Sequence, residues 1–254
     1  MSEQIKLTPL TRLTMTFDRE LSLDSEGLLR GPVFEGFLEH HKVAVQRRDQ
    51  MIKALIIANS VLFLLLNGHG WRIPGFDLDI ASLPAVVELT SLYVSVGFLF
   101  LCIAFVNEQC YSGILNQYGI KDSGPSAIDP DFVNASKQFT ELFLKVYRSK
   151  MNTWGADFFI SRKPFAWFSA VLMCLILIVL ALFPLLYFMM IWGSAMRILE
   201  NQWGLVGQML FIAMLATINL AGVVMVAFLL KDFSFDLLVE QKAAPIKEQP
   251  PKQT

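Results

Sequence analysis

The chain has 254 residues, of which 54% are hydrophobic and only 17% charged, with a formal net charge of −1. A soluble domain carries about 25% charged residues, and here the apolar residues are bunched into long charge-free runs, the signature of a polytopic membrane protein. Disordered, collagen-like and disulfide-scaffold classes are excluded, and the near-neutral balance gives no support for a nucleic-acid partner, which leaves a basic footprint.

In chain order, residues 1–50 divide in two. Leu13, Met15 and Phe17 alternate with Thr residues, a pattern that predicts a short strand. After Gly31-Pro32 the period changes, and Phe34, Phe37, Leu38, His41 and Val45 follow helical spacing. Pro32 suits a first-turn position, so an amphipathic helix is expected from about residue 32 towards the first span. Its Arg47-Arg48 pair suits anionic headgroups, or simply fixes topology as a solvated basic flank.

The first span is read over 51–71. Its clean apolar run, Ala54 to Leu66, covers 13 residues and contains Asn59 and Ser60, and Lys53 and Trp71 serve as interfacial anchors. An outer loop is expected over 72–81 and a second span over 82–106, interrupted only by Glu88. Residues 107–163 form a central loop with a second amphipathic helix over about 130–151, opened by Asp129 and Pro130. Between Lys163 and Arg197 lie 33 residues without charge, and between Glu200 and Lys231 lie 30. These hold the third span (164–192) and the fourth (205–230), with an outer loop at 193–204, since a bilayer core needs about 20 helical residues. Pro184 should kink the third helix, as a static bend or a hinge. The tail begins at 231 and, rich in Pro, Lys and Gln, is read as disordered from about residue 243.

The expected fold is therefore all-α, a four-transmembrane-helix bundle with amphipathic cytoplasmic helices. On this division 19 of the 21 basic residues fall on one side and only Arg72 and Arg197 on the other. Positive-inside bias then predicts cytoplasmic termini and central loop, in a plasma or inner membrane. The first apolar run begins more than fifty residues in, so no cleavable signal peptide is expected.

Glu88 is the leading functional residue, because an ionisable group within a span is costly in lipid and turns towards the bundle interior or water. Ser91, Ser95 and Cys102 follow it at offsets of 3, 7 and 14 and share a helical face, which predicts a polar intramembrane stripe. The alternative is that Glu88 reaches the outer interface, towards Arg72, and that the small residues only permit close packing. Asn59, Thr217 and Asn219 are expected to make interhelical polar contacts, and Ala213, Thr217 and Ala221 form a small-residue seam for contact within the bundle or between copies.

Catalytic chemistry is scarce. His40-His41 with Glu35 and Glu39 lacks metal-ligand spacing, because adjacent histidines point about 100° apart on a helix. His69, Asp77 and Asp79 are grouped on the outer side without a recognised motif. Cys102, Cys110 and Cys174 offer neither a disulfide framework nor a zinc pattern. No phosphate loop, dinucleotide fingerprint or nucleophile elbow is present, and neither metal nor cofactor is expected. The expected partners are the lipid bilayer, a second copy of the chain and a cytoplasmic protein. The readings that follow are a self-associating pore or signal transducer, an accessory or scaffold subunit, and a membrane enzyme acting at the outer face.

Overall fold

The structure is a computed structural model that describes residues 4–25, 27–68, 85–123, 163–200 and 204–236. Its elements are β1 (Gln4–Leu7), α1 (Pro9–Leu23), a 3-10 turn (Leu28–Arg30), α2 (Pro32–Leu66), α3 (Val86–Ser123), α4 (Lys163–Leu199), α5 (Leu205–Leu230) and β2 (Phe233–Asp236). Four helices are long and apolar enough to cross a membrane, so the chain is a helical bundle of multi-pass membrane type. The central helix expected at 130–151, the residues His69, Trp71, Arg72, Asp77 and Asp79, and the tail beyond 236 lie outside the described residues.

The strand expected at Leu13, Met15 and Phe17 is instead part of α1. Thr8 caps this helix, its Oγ1 accepting from the Thr11 amide at 3.0 Å, and Pro9 opens the first turn. Leu13, Phe17 and Leu21 recur at a spacing of four and face inward, which is helical rather than strand periodicity. The strand that does form, β1, ends six residues before Leu13 and pairs antiparallel with β2, Leu7 opposite Phe233 and Lys6 opposite Ser234. Local pattern could not reveal it, because its partner lies more than 220 residues away. The pairing holds the start of the chain and the segment after α5 at one end of the bundle.

The amphipathic stretch from residue 32 and the first span are one uninterrupted helix of 35 residues, ending at Leu66 rather than at 71. Asn67 and Gly68 stop it, Gly68 taking a positive φ of 70° and donating to the Leu65 carbonyl. The second apolar helix likewise continues beyond its span, so residues 107–123, assigned to a loop above, extend α3 to 38 residues. At about 1.5 Å per residue the two helices are roughly 50 and 57 Å long, well beyond a 30 Å hydrocarbon core. Their extra length forms an extramembrane three-helix unit with α1.

Tyr118 is the hub of that unit. Its ring meets Phe17 of α1 and Phe34 of α2 at centroid distances of 5.1 and 4.6 Å, and its hydroxyl donates to the Leu29 carbonyl at 2.6 Å. Leu21, Ile114 and Leu115 complete the buried centre. Gly113 lets α1 approach, for a Cβ there would stand 2.9 Å from Thr14 Cγ2.

Within the apolar part of the bundle, α2, α3 and the C-terminal half of α4 pack through Leu55, Leu62, Val94 and Tyr187. α3 meets α5 where Gly222 sits against Cys102 and Phe98. The helix α4 extends to Leu199, seven residues past the expected end of the third span, and Pro184 lies inside it, exposed.

Candidate functional site: a three-helix polar network

Three helices place one polar side chain each in the apolar core. Tyr187 of α4 donates its hydroxyl to Asn219 Oδ1 of α5 at 2.5 Å. Asn219 Nδ2 donates to Ser95 Oγ of α3 at 2.9 Å and to the Leu215 carbonyl of its own helix at 2.8 Å. All three residues are at least 95% buried. With no water in hydrocarbon, polar groups at this depth must pair inside the protein. Phe98 stacks on the Tyr187 ring at 4.5 Å and closes the network from below.

Glu88 and Ser91 lie on the same face of α3, two turns and one turn above Ser95, at 3% and 0% exposure. The Ser91 hydroxyl donates to the Val87 carbonyl at 2.6 Å. Glu88 occupies the first turn of α3, where the helix dipole favours a carboxylate. Ser194 near the end of α4 and Gln208 near the start of α5 are buried at the same end of the bundle. The stripe Glu88–Ser91–Ser95 is thus enclosed by the protomer's own helices. It also stops: the next inward positions of α3 are Phe98, Leu101, Cys102 and Ala104, and the next buried polar side chain of that helix is Glu108, about 20 Å away by helical rise.

Asn59 and Thr217 make no side-chain bridge of the kind expected. Asn59 Nδ2 donates to the Leu55 carbonyl of its own helix, and its Oδ1 is buried without a hydrogen-bond partner. Thr217 is exposed, its hydroxyl turned back to the Ala213 carbonyl. A hydroxyl or amide in a helix finds its own i−4 carbonyl more cheaply than a neighbour. Ala213, Thr217 and Ala221 all face outward from α5.

Sequence reasoning named Ser95 and Asn219 without pairing them, and missed Tyr187, Ser194 and Gln208. The available signal was a phenol, a hydroxyl and an amide standing in otherwise apolar runs.

A second polar cluster sits at the extramembrane end. Arg48 of α2 donates to Glu108 of α3 at 2.5 Å and to Asp49 at 2.8 Å. Glu108 is 8% exposed, and its second oxygen is buried without a hydrogen-bond partner. Burial opposes the Arg48 charge, but hydrogen bonds and charges of Asp49 and Glu108 outweigh it and hold the guanidinium above its ordinary value. His41, two turns earlier, is buried, and that burial, followed by the Arg48 charge, lowers its pKa. His40 instead stacks on Tyr111 with centroids 6.0 Å apart.

Among the described residues no group of three or more His, Cys, Asp or Glu side chains converges on a common point. The intramembrane network consists of neutral hydrogen-bonding groups, and its chemistry is positional: it fixes the register of α3, α4 and α5. Comparison with family models, with curated proteins and with solved structures finds no match to this chain.

Proposed function

We propose that this protein is a non-enzymatic membrane transducer that couples the arrangement of its intramembrane helices to its extramembrane three-helix unit. The observation that carries this reading is the continuity of α2 and α3. Each is a single helix joining the buried Glu88–Ser95–Asn219–Tyr187 region to the Arg48–Glu108 pair and the Tyr118 hub. A packed helix moves as a unit, so a shift at one end is felt at the other. A pore through one protomer is less well supported, because the polar stripe ends at Ser95 above an apolar stretch. Self-association is supported by the outward-facing Ala213–Thr217–Ala221 seam. The sorting of basic residues supports a cytoplasmic location for the three-helix unit and both chain ends.

The test is hydrogen exchange on the protein in nanodiscs, comparing wild type with Glu88→Gln. A transducer changes protection in α1 and in residues 32–48, far from the substitution. Unchanged protection there refutes coupling, and a conductance of the purified protein in planar bilayers would replace this reading with the pore.

An accessory or scaffold role is the second reading. Met15 and Leu23 of α1 and Val43 of α2 are exposed apolar side chains on the three-helix unit, where a protein partner could cover them. A stoichiometric partner recovered in detergent, and lost on removal of residues 1–23, supports it.

A further inference from the structure

Where α1 meets the inner end of α5, Pro9, Arg12, Leu13, Thr16 and Phe228 enclose an open notch of about 340 Å³. Its depth in the membrane is set by Phe228, which lies in the last turn of the apolar helix Leu205–Leu230. Phe228 packs on Phe233 of β2 with centroids 4.6 Å apart, and Lys231 Nζ lies 5.9 Å from the Phe233 ring centre. Exposed Arg12 lines the notch, and exposed Lys231 lies beside it, three residues after Phe228 and over Phe233, at the point where a membrane helix ends. Asp232 follows Lys231 in the turn that links α5 to β2.

We propose that this notch is a binding site for one anionic phospholipid of the leaflet at this end of the bundle. The acyl chain lies on Phe228, Pro9 and Leu13, and the phosphate lies between Arg12 and Lys231. Charge complementarity selects the occupant: a guanidinium offers paired donors to phosphate oxygens, and the ammonium adds a point charge. A zwitterionic lipid fits the same floor but brings its own cation to the Arg12 and Lys231 side. The site joins three separate parts of the chain, namely α1, the end of α5 and the β1–β2 ribbon, so the lipid is positioned to hold α1 against the bundle. The proposal does not depend on the transducer reading.

The test is native mass spectrometry of the full chain released from detergent with dioleoylphosphatidylglycerol or dioleoylphosphatidylcholine. Wild type should retain one phosphatidylglycerol in preference to phosphatidylcholine by about tenfold, the scale that two cations near a headgroup supply. The pair Arg12→Gln and Lys231→Gln should abolish the preference. Thr16→Trp, which keeps both charges but fills the notch from an exposed position, should abolish it too. Lys42→Gln, a charge loss elsewhere on the exposed surface, should leave it intact. Equal retention of the two lipids by wild type overturns the proposal, as does a preference that survives in either notch variant or disappears with Lys42→Gln.

Discussion

Asn219 Nδ2 lies 2.9 Å from Ser95 Oγ across the α3–α5 contact, and the Asn219 oxygen takes the Tyr187 hydroxyl on its other side. One amide thus joins three membrane helices. Both of its polar atoms are engaged with neighbouring helices, so loss of any member leaves a buried group without its partner.

Tyr187→Phe should therefore lower stability by about 1–2 kcal/mol, and Asn219→Leu by about 1–3 kcal/mol. The double variant should cost less than the sum, because the phenol and the amide share one bond. Thermal unfolding in detergent measures all three, and strict additivity would argue against the network.

Close approach of α3 and α5 depends on Gly222. A Cβ there would sit 3.1 Å from Cys102 Sγ and 3.2 Å from Phe98 Cε1, so alanine requires a shift of a few tenths of an ångström. Gly222→Ala should be tolerated with a small loss, whereas Gly222→Leu overpacks the contact and should cost about 1–3 kcal/mol. The unfolding midpoint separates the two.

The Arg48–Glu108 pair joins α2 to α3 where both leave the membrane. Arg48→Met strands a carboxylate that is 8% exposed and should cost about 1.5–3 kcal/mol. Replacing both residues by Met should recover much of that loss, since no charge is then left buried. A double variant no more stable than Arg48→Met would refute this account.

His41 should make stability pH-dependent. Its folded pKa lies below the ordinary 6.5, first through burial and then through the charge of Arg48. Between the folded value and 6.5 the unfolded chain holds more protons, so stability rises with pH across that window. The contribution is complete above 6.5 and is lost as pH falls towards the folded value. Unfolding midpoints from about pH 8 to pH 5 should fall for wild type and fall less for His41→Gln.

Gly113 controls how closely α1 docks. Its missing Cβ makes room for Thr14 Cγ2 and Leu10 Cδ1, which would lie 2.9 and 3.1 Å from it. Gly113→Leu should push α1 away and raise hydrogen exchange across Pro9–Leu23 while leaving α5 unchanged. Equal protection in α1 would show that the helix is held by other contacts.

The sequence by itself determined that the chain has four apolar helices and where its scarce polar residues stand within them. Hydrocarbon tolerates few charges and demands a helical backbone, so composition along the chain suffices for that. Glu88, Ser91, Ser95 and Asn219 were legible for the same reason: polar side chains in charge-free runs are conspicuous. Only the tertiary structure decided that Ser95 meets Asn219 and Tyr187, that Thr217 faces outward, and that residues 107–123 extend α3 beyond its span. It alone joined β1 to β2 and Arg48 to Glu108, and set Leu13 and Phe17, but not Met15, on a helical face against Tyr118. Pairings between residues 32 to more than 220 positions apart depend on which helix faces pack, and a single-chain pattern of period 2 or 3.6 carries no information about that choice.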